Sequence, residues 1–191
     1  FVIIDMQNMF CEPQAPAEVP KSRGICSNIN RLCTEFRVKG GLVIWVTSVS
    51  TYANGKSDWE LFLNYFVSDD VRAQTLDFMQ PGGHGEQMWH ELVVKDSDLR
   101  LQKIRYSALT PGSSMLQRVL TSHAIKNVLI GGTKTNICCE STGRDAMMLD
   151  FKMVIVEDCC AALSDDEHRA ALENVIQQFG DVMTVDEVTA V

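Results

Sequence analysis

No apolar stretch in this chain is long. The longest, such as Leu42–Val46 and Met153–Val156, fall far short of the ~20 residues that a membrane-spanning helix needs, so no membrane passage by a helix is expected. A basic cluster is also missing. Seventeen Lys and Arg stand against 25 Asp and Glu, a net charge of −8, and nucleic-acid binding requires a cationic footprint. A solvated acidic surface is the plainer meaning of that charge.

Metal-site patterns are equally scarce. Seven cysteines are present, an odd number, and none form a CxxC pair. The doublets Cys138–Cys139 and Cys159–Cys160 lack the spacing that lets ligands converge on one ion. The four histidines, at 84, 90, 123 and 168, show no ligand spacing either, so neither metal nor cofactor is expected. His84 and His90 read as surface or packing residues. The thiols point to a reduced, cytoplasmic protein in which most cysteines are small core residues; Cys26 and Cys33 lie seven apart in one helical pattern. The chain opens directly on a strand-like run, so residues ahead of Phe1 are expected and a targeting peptide stays open.

What is present is an alternation of short β-branched runs with longer helical patterns, and no internal repeat. Strands are expected at 1–5, 42–48, 99–104, 127–132, 152–158 and 181–186, with helices near 23–39, 114–124, 137–149 and 165–179. Continuous apolar strands separated by helices predict a parallel sheet covered on both faces. The expected fold is α/β: a single domain over 1–191, three layers α/β/α, with a six-stranded, mostly parallel sheet. Residues 50–92 break the rhythm as one or two extra helices and a turn-rich return, which serve as a lid, a subunit contact or padding.

Ligands of such sheets bind at the carboxyl ends of the strands. The charged or reactive residues expected there are Asp5, Lys103, the 133–139 segment, Glu157 and Asp158. The run "VLIGGTKTNICC" reads strand, tight turn, helix, which puts a thiol near position 138 at a helix N-terminus. Backbone N–H groups and the helix dipole favour a thiolate there, and Thr135 or Asn136 suits the N-cap. Adjacent helical residues point about 100° apart, so only one of Cys138 and Cys139 can face the site. Asp5 ends an apolar strand, where a carboxylate must be paired or functional. Lys103 interrupts a strand; an exposed edge lysine is the default reading, and one turned inward is the alternative, pairing with Asp5 and holding a nearby thiolate.

Four segments in this order, "VIIDMQNMF", "KIRYSAL", "VLIGGTKTNICCESTGRDAMMLDF" and "VIVEDCCAAL", make the chain resemble the isochorismatase-like cysteine hydrolase superfamily over essentially its whole length. The resemblance implies Asp5, Lys103 and Cys138 as catalytic residues, with Cys139 at a packing position. It also implies a cis Thr133–Lys134 bond, with the Lys134 and Cys138 N–H groups as the oxyanion hole. Gln7, Phe10, Tyr106 and Ile137 are implied around the substrate, with core packing the alternative for Phe10 and Tyr106. Nicotinamidases of this superfamily carry histidine metal ligands after the second strand. None stands in "VTSVSTYANGKSDWE", which again implies no metal.

The run "TNICCESTGRD" is similar to the ureidoacrylate amidohydrolase branch. Glu140, Ser141, Thr142, Arg144 and Asp145 are then substrate-contact candidates, although a surface or intersubunit Arg144–Asp145 ion pair is favoured. The implied activity is hydrolysis of a C–N bond in a small linear amide or carbamoyl/ureido compound through a thioester. The alternatives are a vinyl-ether hydrolase and a catalytically silent interaction protein. A homodimer or homotetramer acting on a small molecule is the implied assembly.

Overall fold

The computed structural model describes residues 1–50, 52–53 and 56–190. Among these the main sheet has β1 (Val2–Ile4), β2 (Ile44–Ser48), β5 (Leu99–Lys103), β6 (Asn127–Thr133), β7 (Lys152–Ala161) and β8 (Asp181–Met183). Their spatial order is β5-β2-β1-β6-β7-β8, and every neighbouring pair is parallel. The sheet is thus all-parallel rather than mostly so. Short β3 (Tyr52–Ala53) and β4 (Lys56–Ser57) form a separate antiparallel ribbon.

Alternate residues of each strand feed two cores. Phe1, Ile3 and Trp45 face one layer, where α2 (Cys26–Val38) packs with Ile29, Leu32 and both of its cysteines, and Val185 opens α7 (Val185–Thr189). Val2, Ile4, Ile44 and Val46 face the other, built from α4 (Leu116–Ser122), α5 (Glu140–Met148) and α6 (Asp165–Gln178). Burial on both faces is why these strands read as continuous apolar runs. Near the sheet edge, Asp98 grips Arg37 through both oxygens (2.9 and 2.6 Å) and accepts from the Trp45 indole (2.9 Å).

Strand β7 runs three residues beyond its expected end because its register with β6 shifts between Ile130 and Gly132. Glu157 and Asp158 therefore lie within the strand, not at its end. Asp158 accepts from Asn28 Nδ2 (3.2 Å) and Val185 N (2.9 Å), tying β7 to the α2/α7 layer.

The excursion holds the ribbon, a π-helical turn at Leu61–Phe66, α3 (Asp69–Phe78) and a 3₁₀ turn at His84–Glu86. Its return packs on the core through buried Trp89 and Leu92. Gln7 opens α1 (Asn8–Cys11), against which His84 sits: the ring lies 2.7 Å from Glu12, and Asn8 donates to the His84 carbonyl (2.9 Å). His90 packs on Trp89 at 4.2 Å.

Candidate active site

Four chain segments deliver polar side chains to one end of the sheet. Strand β1 ends in Asp5, whose φ of +56° is a left-handed conformation uncommon outside glycine, while its N–H continues the ladder to Val46 O (2.9 Å). Asp5 is fully buried. Its Oδ1 accepts from Ser48 Oγ (2.9 Å) at the end of β2. Its Oδ2 lies 2.9 Å from Lys103 Nζ but outside hydrogen-bonding geometry, so this is an ion contact with a lone pair left open.

Lys103, at the end of β5, is 1% exposed. Its ammonium donates to Ser48 Oγ (2.8 Å), Arg105 O (3.1 Å) and Cys138 Sγ (3.5 Å). Burial works against that charge, but Asp5 and then Cys138 outweigh it and carry the Lys103 pKa up to about 12.

The fourth segment follows β6. Gly132 has φ +114°, and a Cβ there would stand 2.0 Å from Ile4 O, so only glycine lets this strand end press against β1. The Thr133–Lys134 bond is cis. A π-helical turn, Thr135–Cys139, then precedes α5, and the Lys134 carbonyl accepts from both Ile137 N (3.1 Å) and Cys139 N (3.2 Å). Neither side chain expected at the N-cap fills it: Lys134 holds that position without a side-chain bond. Thr135 Oγ1 instead lies 2.8 Å from His168 Nδ1, and Asn136 Oδ1 is buried without a partner.

The turn presents Cys138 to Lys103 and sends Cys139, fully buried, into the α4/α5/α6 core. The helix start does not leave Cys138 a resting thiolate. Burial pushes this thiol well above its ordinary range, Asp5 adds to the rise, and Lys103 opposes it. The resting group is a thiol beside a carboxylate.

Of the remaining expected positions, Gln7 is wholly engaged with main chain. It donates to Ser48 O (3.0 Å) and Glu86 O (3.3 Å) and accepts from Ser48 N (2.7 Å). Phe10 and Ile137 are half-buried. Tyr106 is met edge-on by Trp59 (4.7 Å) and Phe62 (5.8 Å) of the excursion.

Of the "ESTGRD" run, Glu140, Thr142, Arg144 and Asp145 are engaged with other protein groups. Arg144 pairs with Glu140 (2.6 Å) rather than Asp145 and lies over the Phe179 ring at 4.1 Å. Asp145 accepts from Thr110 Oγ1 (2.9 Å). Thr142 Oγ1 donates to Cys138 O (2.7 Å) and accepts from Ala108 N (3.1 Å), fixing the carbonyl of the site cysteine.

Sequence reasoning missed Ser48. Its one signal was position, the last residue of a strand next to β1, and a serine there carries no charge to draw notice. His168 was missed as well. Among the described residues no group of three or more His, Cys, Asp or Glu side chains is arranged to hold a metal ion, and no helix is long and apolar enough to cross a membrane.

This architecture has close parallels among solved structures. It is similar to a cysteine hydrolase from Pseudomonas syringae pv. phaseolicola 1448A, with a TM-score of 0.85 and 23% identity over 99% of this chain and 89% of that one. It is also similar to N-carbamoylsarcosine amidase from Thermoplasma acidophilum (TM-score 0.76, 22% identity, 97% and 95% covered). Nicotinamidase from Bacillus subtilis is a third (TM-score 0.75, 20% identity, 95% and 97% covered). At these identities the likeness shows the fold. The family model for the isochorismatase domain matches residues 1–187, and the chain belongs to this family of hydrolases.

Proposed function

We propose that the protein is a cysteine-dependent amidohydrolase that cleaves a C–N bond of a small linear amide or carbamoyl/ureido compound through a thioester. The observation carrying this reading is Lys103 Nζ, set 2.9 Å from Asp5 Oδ2 and 3.5 Å from Cys138 Sγ in a buried site. In this mechanism Asp5 Oδ2, whose lone pair is open, takes the Cys138 proton as the thiol attacks the substrate carbonyl carbon. Lys103 holds the thiolate as it forms, which overcomes the high resting pKa only when a substrate is present to consume it.

The Lys134 and Cys138 N–H groups receive the oxyanion of the tetrahedral species. Protonated Asp5 returns its proton to the departing amine, and water, deprotonated by Asp5, then opens the thioester. Tyr106, Phe10 and Ile137 border the acyl portion, while Gln7 acts by fixing Ser48. A small-molecule substrate, no metal or cofactor, a cytoplasmic setting and a homo-oligomeric assembly complete the proposal.

The test is ammonia or amine release from a panel of ureido, carbamoyl and carboxamide acids, run beside Cys138→Ala. Release that vanishes in the variant supports the reading. Vinyl-ether cleavage without amine release, or full activity in the variant, would overturn it.

A further inference from the structure

Thr135 lies between the two N–H groups assigned above to the oxyanion hole. It is 1% exposed, and a buried hydroxyl without a partner is costly. A threonine inside a helical turn usually bonds back to a carbonyl one turn earlier. Here the hydroxyl leaves its own turn and meets His168 Nδ1 at 2.8 Å.

His168 is mounted firmly. It sits in the first turn of α6, where Ser164 and Glu167 form a reciprocal capping box (3.2 and 3.1 Å) and the His168 N–H donates to Ser164 O (3.1 Å). Beside it lies a cavity of about 360 Å³, lined by Lys21, Asp165, Cys160 and Ala161 among others. The charged groups acting on the ring are Glu157 from β7, Asp165 from its own helix and Lys21 from the Pro20–Ile25 turn, the last two paired with each other. Burial outweighs both carboxylates and holds the imidazole below its ordinary 6.5, so the ring is neutral near pH 7.

We propose that His168 is a positioning residue for the nucleophile turn. Its neutral Nδ1 accepts the Thr135 hydroxyl and so fixes the backbone that carries Lys134 and Cys138. The nitrogen not engaged by Thr135, Nε2, carries the ring proton. This inference rests on the amidohydrolase reading.

The experiment uses the full chain with His168→Ala, His168→Asn, Thr135→Val and the double variant His168→Ala/Thr135→Val. Two readouts are taken: hydrolysis of the amide found by the panel, and the rate at which iodoacetamide alkylates Cys138, mapped by mass spectrometry. A loosened nucleophile turn predicts a roughly 10- to 100-fold loss of kcat in His168→Ala, with KM changed less than about two-fold. Thr135→Val is expected to match that loss, and the double variant to be no worse than either single. His168→Asn, whose side-chain oxygen replaces Nδ1 as acceptor, restores most of the rate.

Cys138 alkylation should slow in His168→Ala and Thr135→Val alike, a readout needing no substrate. Unchanged kcat in both single variants, multiplying losses in the double, or no recovery of rate in His168→Asn would overturn the proposal. If His168→Ala fails to fold, Thr135→Val carries the same test through a near-isosteric change. Failure of the amidohydrolase reading looks different: Cys138→Ala stays active whatever the His168 variants do.

Discussion

Lys103 Nζ lies 2.9 Å from Asp5 Oδ2 and 2.8 Å from Ser48 Oγ, and the same hydroxyl donates to Asp5 Oδ1 at 2.9 Å. Acid, base and hydroxyl close a three-membered ring in which Ser48 accepts from the ammonium and donates to the carboxylate. One oxygen of Asp5 is thereby spent on Ser48. The other has no hydrogen-bond partner and faces the Lys103 ammonium at 2.9 Å. A buried ion pair is weak evidence of stability, since two desolvated charges roughly cancel what they gain from each other. The proton transfer proposed above gives these charges a role in a site reached by four chain segments.

Cys138 and Cys139 should separate cleanly under substitution. Cys138→Ala removes the proposed attacking atom, and activity in the amide assay is expected to fall by about 10⁴-fold or more. Cys139→Ala, with its side chain in the core, is expected to keep kcat within a few-fold while costing about 1 kcal/mol in denaturant unfolding. Equal activity loss in the two variants would contradict the assignment.

Ser48→Ala isolates the ring. The alanine leaves Asp5 Oδ1 without its donor and frees the carboxylate to rotate, while the Gln7 bonds to the Ser48 main chain survive. Activity is expected to fall by roughly 10- to 100-fold, mostly in kcat. Lys103 loses an acceptor as well, so unfolding should shift by about 1–3 kcal/mol. Urea titration beside steady-state kinetics gives both numbers, and a loss confined to stability would make Ser48 a packing residue.

How much of this was legible depended on the physical signal each feature left. The sheet was readable because strands such as Val2–Ile4 are buried on both faces and must be apolar at every position. Asp5 and Lys103 stood out because a charge in such a run has no cheap explanation. Ser48 left no such mark, since a hydroxyl at a strand end is common. Glu157 and Asp158 misled for the opposite reason: they look like a strand end, but the register shift beside Gly132 carries β7 past them. The Thr135 cap failed because local propensity expects the hydroxyl to serve its own helix, whereas His168, 33 residues later in the chain, takes it. Features set by contacts distant in sequence are those that a local pattern does not encode.

Gly132→Ala tests how tightly the nucleophile turn is pressed on β1. The added Cβ would meet Ile4 O at 2.0 Å and Ile4 N at 2.7 Å, backbone atoms that cannot swing aside, and φ is +114°. The variant is expected to lose about 4 kcal/mol or more, near the limit of what most domains tolerate, and to accumulate poorly. Gly112→Ala is the control: φ there is +79° but nothing lies within 4 Å of the new Cβ, so the cost is limited to about 1 kcal/mol of conformational strain. Similar melting temperatures for the two variants would show that β1 and β6 are less closely apposed than described.

The buried Lys103 charge also predicts an alkaline limit to stability. Its folded pKa, about 12, lies above the ordinary 10.5 because Asp5 and Cys138 favour the ammonium more than burial disfavours it. A group whose pKa is raised on folding contributes its stabilisation fully below the unfolded value and loses it as pH rises through the folded one. The contribution, about 2 kcal/mol at 1.36 kcal/mol per unit, is therefore intact below pH 10.5 and gone by about pH 12. The measurement is a difference between two proteins, in which contributions common to both cancel. Lys103→Met removes the ammonium and leaves Asp5 buried without its counter-charge, destabilising the protein at pH 8 by about 3 kcal/mol or more. The stability gap between wild type and Lys103→Met should narrow between pH 10.5 and about 12, as the wild type loses the charge that the variant lacks. A gap that holds constant across this window would show that the stabilising contact of Lys103 is its packed hydrocarbon stem and not the ammonium between Asp5 and Cys138.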